Sequence, residues 1–200
     1  FINTARSISF NRKRNKPFKK KNIRKLPNLW LFTDSTKTVN PVALSKNLPK
    51  NSGIVIRSYG AKNKETIIRD VLNMKKRRLF TVLISGKYKR HLSADGFHVP
   101  QWINSKNKNK QIISMSVHSG KDVRKSINLK VDLIFISPVF KSTSHINNKN
   151  LGVVKLGLMA KLFKRPTIAL GGINNKNVNR LKNLPISGCA GIDVFINNRI

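Results

Sequence analysis

Eight short apolar runs, most of them far enough apart to leave room for a helix, constrain this chain more than any other feature. They are Leu29–Phe32, Gly53–Arg57, Leu79–Ile84, Gly96–Val99, Ile112–Ser116, the run inside Val131–His145, Thr167–Leu170 and Ala190–Phe195. Short continuous apolar runs bounded by turn residues read as strands covered on both faces. Helical spacing fills the gaps at Pro41–Leu48, Lys64–Met74, Lys121–Ile127, Val153–Phe163 and Asn175–Leu184. Strands that alternate with helices predict repeated βα units and a parallel α/β sheet. The expected fold is a compact (β/α)8 TIM barrel whose last helix is short or missing, because only Ile196–Ile200 follows the eighth run. An open doubly wound sheet is the alternative.

The stretch Val131–His145, VDLIFISPVFKSTSH, points to where chemistry belongs. Its apolar run Leu133–Ile136 ends in Ser137-Pro138, and Ser142, Thr143, Ser144 and His145 crowd just beyond. Ligands bind at that end of a strand in parallel α/β folds. The pair Gly171-Gly172 follows the seventh run and precedes a predicted helix. Two glycines let backbone approach a ligand closely, and a helix N-terminus offers N–H groups to phosphate. A tight connection is the plainer alternative for such a turn.

Charge is far from balanced: 41 Lys+Arg face 7 Asp+Glu, a formal net charge of +34. Such a chain attracts phosphates and nucleic acid non-specifically. Function, steering of an anionic substrate and compositional bias all account for it, and the even spread of lysines favours bias. Residues 1–27 hold no acid and no regular apolar period, so they are expected to form a disordered basic arm ahead of a barrel over 28–200. A nucleic-acid tail or an organelle presequence are the alternatives for that arm. The single cysteine, Cys189, forms no internal disulfide, reads as a buried structural thiol and fits a reducing, cytoplasmic setting. No apolar run approaches the length of a membrane-spanning helix. The acids are Asp34, Glu65, Asp70, Asp95, Asp122, Asp132 and Asp193, and no two are spaced like metal ligands.

Taken together, Leu31–Asp34, Ile56-Arg57, Ala94–Val99, Ser116–Ser119, Ser137–Phe140, Ser142–His145, Leu151-Gly152 and Ala169–Ile173 resemble the thiamine phosphate synthase and thiazole tautomerase (TenI-like) family. Members of that family are small (β/α)8 barrels. The resemblance implies a transferase of thiamine biosynthesis. Hydroxymethylpyrimidine diphosphate loses pyrophosphate, and a thiazole phosphate nitrogen captures the resulting cation. It also implies phosphorylated small-molecule partners and Mg²⁺. By position, Arg57 corresponds to the pyrophosphate-holding arginine and Ser116 to the serine of the pyrophosphate and pyrimidine region. Gly172 and Ile173 correspond to the thiazole phosphate loop.

The chain departs from the family pattern at several points. Arg57-Ser58-Tyr59 stands where Arg-Glu-Lys is usual, and Ser85-Gly86 where Asn-Asp is usual, with Lys87 adding a nearby cation. Pro100–Ile103 replaces a carboxylate after the fourth strand, Ser144-His145 replaces Thr-Lys, and Ile196 stands for a serine after the eighth. With both usual carboxylates absent, no metal ligand is identifiable. The catalytic candidates are Arg57, Ser116 and His118. The binding candidates are Lys87, Ser142, Ser144, His145, Gly171, Gly172 and Ile173. His98 reads as lining of the barrel mouth and His91 as surface. The expected function is therefore a thiamine phosphate synthase-like transferase with a diverged site. The alternatives are a metal-independent thiazole tautomerase working through His118, and an inactive barrel that binds phosphate or nucleic acid. Self-association is left open.

Overall fold

Eight strands close in sequence order into a parallel barrel, each paired with the next and the last with the first. They are β1 (Leu29–Phe32), β2 (Gly53–Ile56), β3 (Thr81–Ser85), β4 (Gly96–Val99), β5 (Ile112–Val117), β6 (Leu133–Ile136), β7 (Thr167–Leu170) and β8 (Gly188–Gly191). The helices are α1 (Ile2–Ser7), α2 (Pro41–Lys46), α3 (Lys64–Arg78), α4 (Gly120–Asn128), α5 (Gly152–Leu162) and α6 (Asp193–Ile196), with a 3₁₀ turn at Val178–Leu181. This is a computed structural model, and it describes residues 1–7, 26–34, 41–57, 64–86, 93–99, 111–141 and 150–196. The closed barrel settles the choice against an open sheet. No helix among the described residues is long and apolar enough to cross a membrane.

Side chains alternate along each strand, so one set fills the barrel and the other packs under the helices. Trp30, Phe32, Leu83, Phe135 and Ile168 belong to the inner set, all fully buried. The rings of Phe32 and Phe135 meet edge to face at 4.7 Å. Gly53 sits beside Trp30 in the β1–β2 register, and a Cβ there would collide with the indole. The missing side chain makes room for the large one.

Two of the scarce acids lock the opposite end. Asp95 and Asp132 lie just ahead of β4 and β6, and each accepts a backbone N–H from the neighbouring strand. Val82 donates to Asp95 Oδ2 at 2.8 Å and Ile113 to Asp132 Oδ2 at 2.9 Å. Lys75 Nζ lies 2.8 Å from Asp95 Oδ1, and Arg165 Nη1 3.6 Å from Asp132 Oδ1.

Three expectations need correction. Residues 1–7 are not a disordered arm: α1 packs on the barrel, with Phe1 and Ala5 buried and the Phe1 ring 5.7 Å from Phe195. Phe1, Ile2 and Ala5 make a small apolar face, too short to register as an apolar period in the sequence. Residues 8–25 of the expected arm lie outside the described residues. The helix expected over Asn175–Leu184 shrinks to one 3₁₀ turn, because asparagine side chains take its first backbone groups. Asn177 Oδ1 accepts from the Asn174 N–H at 2.8 Å, and Asn174 Oδ1 from the Lys176 N–H at 2.9 Å. The eighth strand lies at Gly188–Gly191 rather than Ala190–Phe195, and Asp193–Ile196 forms the short last helix. Small residues suit that strand, since a Cβ on Gly188 would strike the Asn28 carbonyl. Cys189 is buried there, which pushes its thiol up to about 12.

Candidate active site at the strand C-termini

A parallel barrel brings every strand's C-terminal end to one face. Inward alternation along β2 (Gly53, Val55) carries on to Arg57. The Arg57 N–H donates to Thr33 Oγ1 at 2.8 Å, Nη2 lies 3.5 Å from Asp34 Oδ2, and the guanidinium carbon sits 6.0 Å from the Phe32 ring centre. The side chain is 31% exposed, yet its Nε is buried with no acceptor among the described residues. A cation held this way offers charge and an unspent donor to an oxyanion.

His98 differs from the expected mouth lining. It points into the barrel, 5% exposed, and its ring stacks edge to face on Phe32 at 5.4 Å and Phe135 at 5.6 Å. Its Nδ1 lies 2.9 Å from Ser114 Oγ and its Nε2 3.1 Å from Ser116 Oγ. Burial first, and the Arg57 charge second, lower its pKa to about 3, so the ring is neutral at physiological pH. Ser116 is thus part of a polar thread running inward from the mouth. The signal was present: Ser114 and Ser116 share one side of β5, and hydroxyls inside an apolar barrel demand partners.

His118, just past β5, is exposed. Its backbone N–H donates to Asp122 Oδ2 at 2.9 Å, and Asp122's own N–H donates to the Ser119 cap at 3.2 Å. The ring Nδ1 sits 2.6 Å from the Ser137 carbonyl. A carbonyl only accepts, so Nδ1 carries a proton and Nε2 is the nitrogen left to exchange a proton with a ligand, as a general acid or base requires.

Gly171 and Gly172 have φ of +94° and +67°. The loop after β6 presses on both: a Cβ on Gly171 would lie 2.9 Å from Pro138 Cα, and one on Gly172 2.5 Å from the Phe140 carbonyl oxygen. The Val139 and Phe140 N–H groups donate to Leu170 and Gly171 carbonyls at 3.0 Å. Packing thus already requires the glycine pair. Ile173 buries its side chain in the outer core, leaving its backbone as the candidate group. Arg180, which sequence reasoning missed, lies 5.4 Å over the Phe140 ring. Lys87, Ser142, Ser144 and His145 lie outside the described residues. The structure therefore brings Arg57, His98 and Ser116 together and sets His118, Gly171, Gly172 and Ile173 on the same end. A separate cavity of about 470 Å³, lined by Phe1, Arg6, Leu48 and Arg78 among others, lies beneath α1 at the opposite end.

A hard divalent cation needs several oxygen ligands, usually carboxylates. Among its described residues the mouth does not supply them. Ser85 and Gly86 end β3, Asp34 faces Arg57, and Asp122 is engaged by the His118 backbone. Among the described residues no three His, Cys, Asp or Glu side chains cluster as ligands. Among the described residues the donor set is cationic and hydroxylic and does not fit Mg²⁺.

Fold and site define a compact (β/α)8 barrel with its polar groups gathered at the strand C-termini. The family model described as thiamine monophosphate synthase matches residues 55–195, and the chain belongs to that family. It is 28% identical over 184 residues to the putative thiamine-phosphate synthase 2 of Aquifex aeolicus, covering 86% of this chain and 98% of that one. It is 33% identical over 88 residues to a thiamine-phosphate synthase of Prochlorococcus marinus, a match that spans 44% of this chain but only 25% of that protein. Among solved structures, the thiamine phosphate pyrophosphorylase from Pyrococcus furiosus superposes with a TM-score of 0.68 at 20% identity, over 84% of this chain and 86% of that one. At that identity the superposition speaks for the fold.

Proposed function

We propose that this protein is a thiamine phosphate synthase-like transferase that holds pyrophosphate with cations of its own chain. The observation that carries the reading is Arg57, partly exposed at the end of β2 with a buried donor still unspent. In the proposed reaction the C–O bond of hydroxymethylpyrimidine diphosphate breaks and pyrophosphate leaves with the electron pair. The thiazole nitrogen of the second substrate then forms the new C–N bond. Arg57 meets the charge that grows on the leaving group, where a fixed cation does most for the transition state. Lys87, Lys141, Ser142, Ser144 and His145 are assigned to the phosphates from their places in the sequence alone, and the Gly171–Ile173 backbone to the thiazole phosphate. No step is assigned to Mg²⁺, since the donor set does not suit it. The test is product formation from the two substrates by the full chain, followed by mass spectrometry. Thiamine phosphate supports the reading, and its absence from folded protein refutes it.

The geometry of His118 favours one second reading, a thiazole tautomerase. Its free Nε2 can take a proton from one ring position and return it to another, without metal. Proton exchange on a thiazole carboxylate phosphate, lost in His118→Gln, supports that reading; exchange that survives the substitution ends it.

A further inference from the structure

Away from the strand C-termini, the cavity of about 470 Å³ beneath α1 has a wall that is part apolar and part cationic. Phe1, Leu48 and Pro49 supply the apolar part, and Arg6 and Arg78 the charge. Small-molecule sites usually enclose about 300–1,000 Å³. The fold gathers these groups from three places: α1, the connection between α2 and β2, and the last residue of α3. Arg78 is fixed in the wall. Its Nη2 donates to the carbonyl oxygens of Lys46, at 2.9 Å, and Leu48, and its guanidinium carbon lies 5.9 Å from the Phe80 ring centre. Its Nε is buried with no acceptor among the described residues. Arg6, in the last turn of α1, is exposed. The ion pairs among the described residues join Asp34 to Arg57, Asp70 to Arg69, Asp95 to Lys75 and Asp132 to Arg165, so neither cavity arginine meets a carboxylate there.

We infer that this cavity is a second binding site, separate from the mouth, for a phosphate monoester carried on an apolar body. The phosphate lies against Arg6 and Arg78, and the apolar body against Phe1, Leu48 and Pro49. A guanidinium fork matches the geometry of phosphate oxygens. Two guanidinium charges on one wall favour a dianion over a carboxylate, because attraction scales with the product of the charges. The many surface lysines attract any anion diffusely; the cavity adds fixed charge and apolar contact in one place. The inference stands apart from the proposed reaction and survives its failure.

The test is calorimetric titration of phenyl phosphate, at physiological salt, into the full chain carrying Arg57→Ala, which removes the cation at the mouth. The expected result is one saturable site, with amide NMR shifts in α1 and at Asn47 and Leu48. Shifts confined to the strand C-terminal end overturn the inference. Arg6→Gln should weaken binding about tenfold or more, the worth of one charge-assisted contact. Arg77→Gln removes the same charge from an exposed position outside the cavity and should change nothing. Equal effects of the two substitutions would reduce binding to the overall charge of the chain and overturn the inference. Asn47→Trp, which fills the cavity and keeps both arginines, should abolish binding; undiminished affinity there also overturns it. Inorganic phosphate should bind about tenfold more weakly than phenyl phosphate, since it leaves the apolar wall uncovered; equal affinity would contradict the apolar half of the site.

Discussion

The turn after β7 offers a test in which geometry fixes the size of the effect. Gly172 and Gly152 both hold left-handed backbone, with φ of +67° and +70°. An alanine pays for that conformation about 1–2 kcal/mol at either position. The two sites then diverge. A methyl on Gly172 meets the carbonyl oxygens of Phe140 and Lys141, whereas no described atom lies within 4 Å of one on Gly152. Forcing an extra carbon into packed backbone costs about 1–3 kcal/mol more. Gly172→Ala should therefore lose about 2–5 kcal/mol and Gly152→Ala about 1–2 kcal/mol. In a chain of this size each kcal/mol moves Tm by about 2–4 °C. Urea unfolding followed by circular dichroism, with m-values compared, reads the difference. Equal losses would refute the claim that the β6 and β7 loops are pressed together.

Asp132→Ala should cost about 1–3 kcal/mol in the same assay, since it strands the Ile113 N–H without its acceptor at the start of β5. Stability should also fall on acidification. His98 titrates near 3 in the fold against 6.5 unfolded, so below pH 6.5 the unfolded chain binds a proton that the fold refuses. By pH 4 that amounts to about 3 kcal/mol, and His98→Gln should flatten this part of the profile; an unchanged slope would show that other groups carry it.

Much of the barrel was legible because its strands are bounded apolar runs. Leu29–Phe32, Gly96–Val99 and Thr167–Leu170 appear as strands with the bounds the sequence suggests. The eighth strand was misplaced because hydrophobicity favours Val194 and Phe195, while barrel closure against Asn28 favours Gly188 and its small neighbours. The helix expected over Asn175–Leu184 failed where Asn174 and Asn177 compete for backbone groups, an effect that apolar spacing does not register. The placement of Arg57 and Ser116 at the strand C-terminal ends was legible from motif and position. The inward placement of His98 was not, because it depends on which side of β4 faces the barrel interior. The Asp34–Arg57 contact joins the ends of β1 and β2, which only the parallel pairing of those strands brings together.

The central claim is that Arg57 carries the charge of departing pyrophosphate. The most direct measurement is pyrophosphate and thiamine phosphate release by the full chain and by Arg57→Ala, across a Mg²⁺ titration that begins from none. The account predicts product from the parent, and a fall of about tenfold to a hundredfold in the variant, the worth of one charge-assisted contact. Product that forms equally well without the Arg57 side chain would contradict it, as would a folded parent that releases no pyrophosphate at any Mg²⁺ concentration.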